Sequence, residues 1–369
     1  MSLNIMIRPA AVREGESMRL RRFGVCIAGW LAAVCVLVAL AAPAAARMVT
    51  DSAGRQVNIP DTVTRVFAAG PPASVLLYSL APETMIGWVR APREAEKPFL
   101  LDRVRALPEL GRLTGRGDTL NIEVLVASKP DLVIDFGSLN DTYISLANRV
   151  QEQTGIPYIL LDGRFEATAA ALRLLGDVLG KRERGEALAK ATEAILADAD
   201  RVLGAVPADK RPRVYLARGR EGLETGTRGS INTEIIERVG ATNVAEGLMR
   251  RGAIANASTE QIIAWAPDTI ITLDRTFQAE VRDRPTWAPV PAVASGRVYL
   301  APSLPFGFVD APPSLNRLAG VIWLTHMLYP QQAAGDLRAK VRDFYALFYQ
   351  VKLSDAELDQ VLNQAGAPK

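Results

Sequence analysis

The sequence predicts an α/β protein of two Rossmann-like lobes, each with a central parallel sheet, joined by one long α-helix. Three observations carry this. First, residues 181–203 place Leu188, Ala191, Ile195, Ala199 and Val202 at helical spacing with a charged face opposite. At about 1.5 Å per residue that strut would be roughly 35 Å long. Second, short apolar runs alternate with helical segments on both sides of it, the pattern of a parallel, doubly wound sheet. Third, the two sides align. Setting Pro267-Asp268 on Pro130-Asp131 superposes Glu260 on Glu123, Ala264 on Ala127, and Ile270-Ile271 on Val133-Ile134. The expected divisions are 1–46 a signal peptide, 47–180 an N-terminal lobe, 181–206 the linking helix and 207–369 a C-terminal lobe.

Residues 24–42 form an unbroken apolar run preceded by Arg19, Arg21 and Arg22 and followed by Pro43 and Ala44-Ala45-Ala46. A basic flank, an apolar stretch and a small-residue site describe a cleavable secretory signal, with cleavage expected before Arg47. An uncleaved anchor is the alternative, and Met18 is an alternative start. Arg21-Arg22-Phe23 is a weak twin-arginine feature. Both cysteines, Cys26 and Cys35, fall in this run, after Val25 and Val34 rather than the small residue a lipid anchor would want. Beyond residue 46 there is therefore no thiol for a disulfide, a thiolate metal site or cysteine catalysis. Residues 1–46 carry five arginines and two glutamates, leaving 38 basic and 38 acidic groups beyond them. A balanced charge argues against nucleic acid as the partner.

In chain order, two short strands surround a turn at Ala53-Gly54, and a strand is expected over 63–69. The run Gly70-Pro71-Pro72-Ala73-Ser74 opens a helix to Leu80, with proline at its first positions. A short strand is expected over 85–89, and 91–118 reads as surface loop. A helix over 121–128, a Lys129-Pro130-Asp131 break, a strand over 132–136, a helix over 141–154, a strand over 158–161 and a helix over 167–179 lead to the strut. Beyond it the expected elements are a strand over 213–217, helices over 232–239 and 259–265, a strand over 269–273, a loop after Pro302 and helices over 314–328, 336–349 and 356–363.

Ligands of open α/β sheets bind outside the carboxyl ends of the strands. The start of the helix at 70–74, with Ser74, offers backbone N–H groups to an anion. Arg90 follows one strand end; Ser138 and Asn140 follow another; Arg164 lies three residues after Leu161. In the second half Arg218 and Arg220 follow Ala217, and Arg275 follows Leu273. Taken together these arginines suggest a cleft holding an anionic ligand by charge-assisted bonds. Each alone is more often a solvated loop charge. Trp88, Tyr215, Phe277, Phe306 and Phe308 are candidate apolar walls, with Tyr215 expected in the core and the loop aromatics Phe306 and Phe308 the better candidates. Asp310, Asn316 and Arg317 flank a proline pair; Asn316 could equally be buried in a helix and Arg317 ride its polar side. His326, the one histidine, reads as structural. One histidine without cysteine cannot build a zinc-type site. No nucleophile elbow, P-loop, dinucleotide fingerprint or H-E-x-x-H is present, so neither a catalytic residue nor a cofactor is expected.

The segments VTDSAGRQVNIPDTVTRVFAAG, NIEVLVASKPDLVIDFG, EIIERVGATNVAEG, STEQIIAWAPDTIITLD and RVYLAP resemble the substrate-binding proteins of ABC importers for iron-siderophores, haem and cobalamin. The resemblance covers nearly all of the chain beyond the signal. It implies two α/β lobes on a rigid helix, a small hinge motion, a monomer, and a membrane partner made of a permease dimer with its ATPase. It also implies a surface glutamate on each lobe that salt-bridges the permease; the matching positions are Glu123 and Glu260. The segment FGFVDAPPSLNRLAGVIWLTHMLYP resembles a subgroup of iron-complex binders that includes molybdate and tungstate binders. The expected ligand is an anionic metal complex, a ferric siderophore first and a molybdate-like oxyanion second. Haem ranks lower because no tyrosine or histidine stands at an obvious axial position. A secreted hydrolase is the rival from another class.

Overall fold

A computed structural model describes Met1 and residues 46–114, 122–248 and 253–363. Both cysteines and the rest of the apolar run lie outside these residues. In chain order the strands are β1 (Ala46–Thr50), β2 (Gln56–Pro60), β3 (Val66–Ala68), β4 (Leu132–Gly137), β5 (Tyr158–Asp162), β6 (Arg213–Ala217), β7 (Glu224–Gly226), β8 (Thr242–Asn243), β9 (Ile254–Asn256), β10 (Thr269–Thr272) and β11 (Val298–Leu300). The main helices are α1 (Pro71–Leu80), α2 (Ile122–Ser128), α3 (Asp141–Thr154), α4 (Phe165–Val178), α5 (Arg182–Gly204), α6 (Glu234–Arg238), α7 (Thr259–Trp265), α8 (Arg275–Glu280), α9 (Asn316–Leu328), α10 (Leu337–Phe344) and α11 (Asp355–Asn363).

Two parallel sheets result. One runs β3-β4-β5 and the other β11-β10-β6-β8, while β1 pairs with β2 and β7 runs antiparallel to β9. Val66 also makes a single parallel bridge to Met85, on the side of β3 where β8 flanks β6. Both sheets thus share one order, and the duplication read in the sequence extends to individual hydrogen bonds. Lys129 and Ala266, each just before a Pro-Asp pair, adopt φ 47° and 46°. The Asp131 carboxylate accepts the Arg65 N–H at 2.9 Å, and Asp268 accepts the Arg213 N–H at the same distance. Each of these arginines donates in turn to a carbonyl at the end of the neighbouring helix, Arg65 to Ser128 and Arg213 to Trp265. The Pro-Asp pair therefore ends a helix and fixes where two parallel strands begin.

Strand residues alternate between two cores, as a period of two requires. Leu132, Ile134 and Phe136 of β4, Ile159 and Leu161 of β5, and Val214 and Leu216 of β6 pack into one cluster with α5 and α9. Val133, Tyr158 and Leu160 face a second cluster, and Tyr215, Ala217 and Ile270 a third. Burial on both faces explains why the strands read as continuous apolar runs. The strut α5 packs against α4 and α9. At its crossing with α4, a Cβ on Gly185 would lie 2.7 Å from the Leu172 carbonyl, so the two backbones meet too closely for any side chain.

Several elements differ from the sequence reading. Residues 85–89 form no strand: Met85 bridges Val66 and Trp88 bridges Glu109, so the chain changes partner within three residues. Residues 336–349 are not one α-helix, since α10 widens into a π turn at Tyr345–Tyr349 that ends at Gln350 with φ 58°. Arg317 does not ride a polar face. It is only 1% exposed, in a helix buried on every side from Asn316 to Thr325. Asn316 is buried as well, donating to the Gly307 and Pro312 carbonyls.

Arg317 joins the lobes. Its guanidinium donates to the Gly163 carbonyl at 2.7 Å, just beyond β5, and to the Ile231 carbonyl and Glu234 carboxylate at 2.8 and 2.9 Å in the other lobe. It lies 4.2 Å over the Phe165 ring, and the Phe165 N–H donates back to Glu234 at 3.0 Å. Burial lowers the guanidinium pKa, while Glu234 opposes the shift. A buried charge deprived of its partner costs about 3–5 kcal/mol. Arg317→Met should therefore lose about 3 kcal/mol in urea denaturation; a loss below about 1 kcal/mol would contradict this role.

Candidate functional site

A cleft of about 930 Å³ opens between the carboxyl ends of the two sheets. The first lobe supplies Ser74, Trp88, Arg90, Asp135, Ser138 and Tyr143, together with the segment from Glu109 to Thr114. The second supplies Arg218, Asn232, Ile254, Phe306 and Asp310. Of the residues singled out in the sequence, the cleft brings together Ser74, Trp88, Arg90, Ser138, Arg218, Phe306 and Asp310.

Asn140, Arg164, Arg220 and Arg275 are not among its lining residues, each for a local reason. Asn140 caps α3, accepting from the Thr142 and Tyr143 N–H groups. Arg164 folds back onto Asp162 at 2.6 Å. Arg220 is exposed in the turn between β6 and β7, and Arg275 is exposed at the first position of α8. Among the aromatic residues, Tyr215 and Phe277 belong to the outer core of the second lobe and Phe308 is fully buried. His326 lies elsewhere, with ring nitrogens 2.8 Å from the Ile322 carbonyl and 3.3 Å from that of Gly335.

The start of α1 presents few donors. Pro71 and Pro72 have no N–H, and the Ser74 N–H is spent on the Gly70 carbonyl, leaving Ala73 within the first turn. The Ser74 side chain differs: its Oγ is buried in the cleft wall with no hydrogen-bond partner.

Two of the cleft arginines carry built-in counterions. Arg90 meets both oxygens of the buried Glu96 at 3.0 Å. Arg218 forms a close ion pair with Asp310, which is 1% exposed and also accepts from Asn232 at 3.0 Å. Arg112 was not singled out in the sequence because residues 91–118 read as a surface loop. Hydrogen bonds hold that segment in place: Leu110 N–H to the Trp88 carbonyl at 2.8 Å, and Leu113 and Thr114 N–H to the Ala69 carbonyl at 2.7 and 3.0 Å. Arg112 lines the cleft and has no carboxylate partner among the described residues.

Asp135, also missed, stood inside an apolar strand with nothing to mark it. Its Oδ1 accepts from the Phe136 N–H at 3.0 Å and Thr114 Oγ1 at 3.2 Å, and among the described residues its Oδ2 takes a long contact of 3.4 Å from the Tyr158 hydroxyl. Burial without a cation pushes its pKa up to about 6. The unfolded aspartate ionises at lower pH, so the folded state binds the extra proton between about pH 4 and 6, and stability falls as pH rises through that window. Asp135→Asn should remove most of this slope, which is worth at most about 3 kcal/mol. Urea midpoints measured at low and neutral pH test this, and an unchanged slope would contradict it.

With this geometry in view, similarity to known proteins is informative. The family described as periplasmic binding protein matches residues 90–304, more than half of the chain. The chain is 29% identical over 343 residues to the molybdate-binding protein MolA of Haemophilus influenzae, covering 86% of this chain and 95% of that one. An ABC transporter solute-binding protein from Sulfurospirillum deleyianum superposes with a TM-score of 0.78 at 29% identity, covering 86% of this chain and 99% of the other. The structure of Haemophilus influenzae MolA bound to molybdate gives 0.69 at 25% identity, covering 84% and 99%. Two parallel sheets on one long helix, with a cleft between them, agree with these relatives, and the chain belongs to the periplasmic binding protein family of ABC transporters.

Proposed function

We propose that the cleft captures an oxyanion of the molybdate or tungstate class and delivers it to an inner-membrane permease with its ATPase, without catalysing a reaction. The observation that carries this is a pair of donors on one wall that no described residue satisfies: the buried Ser74 hydroxyl, without a hydrogen-bond partner among the described residues, and Arg112, without a carboxylate among them. A buried polar group with no partner is costly unless a ligand satisfies it. The likeness to a molybdate-binding protein over nearly its full length supports the same reading.

One observation favours a second reading. About 930 Å³ lies near the upper end for small-molecule pockets and far exceeds one tetrahedral anion, which suits a ferric siderophore. Binding of molybdate and tungstate, set against ferric hydroxamate and catecholate complexes in calorimetry, separates the two. Hydrogen bonds to a charged group are worth about 1.5–3 kcal/mol, so Ser74→Ala and Arg112→Ala should each weaken binding roughly tenfold or more. Unchanged affinity in both would overturn the site.

The chain acts in the periplasm as a monomer of two lobes, 47–180 and 207–369, on the 181–206 helix. Cleavage of the signal is proposed before Arg47, the second residue of β1. Glu123 and Glu260 are exposed in the first turns of the equivalent helices α2 and α7, where the helix dipole favours a carboxylate, and are proposed as the permease contacts. Reversing both charges should cut uptake severely in cells while ligand affinity stays unchanged; normal uptake would dispose of the docking role.

A further inference from the structure

Asp135 presents a carboxyl group to the cleft proposed to take an anion, and no ion pair to a lysine or arginine forms at it among the described residues. On one side β3 brings Val66, Phe67 and Ala68, none ionisable, and on the other β5 brings the Tyr158 hydroxyl. Thr114 donates from the loop, and α3 brings Tyr143, whose phenol is raised by burial and by the Asp135 charge. Ser74 is the cleft-lining polar residue of α1. Arg55 donates to the Tyr158 carbonyl and pairs with Asp51, while Arg112 lines the same cleft. Of these partners, the Phe136 N–H and Thr114 hydroxyl engage Oδ1, leaving Oδ2 with lone-pair capacity beyond its weak tyrosine contact.

We infer that Asp135 determines which anions the cleft accepts, because one proton must lie between its carboxyl group and any ligand oxygen that meets it. The inference rests on the reading that an anion occupies this cleft. Two ionised oxygens at contact distance repel, and such pairs hold a shared proton instead. The proton comes from solvent. Once present, it turns a repulsive contact into a charge-assisted O–H···O bond. A fully deprotonated oxyanion is then selected by its basicity, since the better acceptor recovers more of that bond. Molybdate is a stronger base than sulfate, so a cleft much wider than either ion can still prefer molybdate. Arg112 and Ser74 would favour both anions alike, and Asp135 penalises the weaker base; of the other cleft carboxylates, Asp310 is paired with Arg218 and Glu109 accepts the Ala91 N–H.

Calorimetry of the wild type with sodium molybdate and sodium sulfate, repeated in buffers of different ionisation enthalpy, tests this. Molybdate binding should take up nearly one proton above pH 7 and weaken about tenfold per pH unit there, with sulfate weaker throughout. Asp135→Asn should flatten the pH dependence, abolish proton uptake and raise sulfate affinity at least about tenfold. Molybdate binding to the wild type with no proton uptake and flat affinity would overturn the inference while leaving the oxyanion reading intact. If the wild type binds neither ion but Asp135→Asn admits them, the oxyanion reading falls and the gating role of Asp135 stands. Binding to neither protein removes both.

Discussion

One buried guanidinium sets the relation between the two lobes. Arg317 spends its donors on a carbonyl beyond β5, a carbonyl before α6 and the Glu234 carboxylate, and Glu234 reaches back to the Phe165 backbone. The junction is close as well as polar: a Cβ on Gly163 would lie 2.7 Å from the Gly137 Cα and 3.1 Å from the Ile231 side chain. A rigid strut fixes the distance between the sheets, and this junction fixes their angle. Small hinge motion follows, because opening the lobes would strand a buried charge. Further contacts reinforce it: the Ser314 hydroxyl donates to the Pro72 carbonyl at 2.7 Å, and the Tyr78 hydroxyl to the Tyr349 carbonyl at the same distance.

A cleft held at nearly constant width must do its selecting through wall chemistry. Its walls are not simply positive. Asp310 pairs with Arg218, and Glu96 is shared between Arg90 and Arg93, so part of the positive charge at the cleft is already engaged. On the proposed reading, attraction falls to Arg112 and to the Ser74 hydroxyl, which line the cleft from the same lobe as the Asp135 carboxyl group. Recognition on that reading balances the Ser74 and Arg112 donors against the Asp135 carboxyl group, so that ligand basicity matters more than size.

The fold was largely legible because its signals are local and repeated. The strut announced itself by helical periodicity, and the Pro-Asp duplication, read from two short segments, marked equivalent joins at which Asp131 and Asp268 accept the corresponding Arg65 and Arg213 backbone N–H groups. The cleft was legible only in part. Strand-end arginines were easy to count, but counting could not reveal which would find a nearby acid; Arg164 folds onto Asp162, two residues away. Arg112 was hidden in a segment without periodicity, which long-range backbone bonds to Trp88 and Ala69 hold against the sheet. Asp135 was hidden for the opposite reason, inside a strand whose apolar neighbours drew the eye. Arg317 was misread because a charged residue in a helix ordinarily faces water, and its three acceptors come from segments up to 154 residues distant.

The most direct measurement is anomalous diffraction from crystals of the protein purified from its own periplasm, collected at the molybdenum, tungsten and iron edges. A heavy-atom peak between the lobes, bordered by Ser74, Arg112 and Asp135, is the expected result, and the edge at which it appears names the element. A well-occupied peak on the outer surface of either lobe, with the cleft holding only solvent, would contradict capture between the sheets.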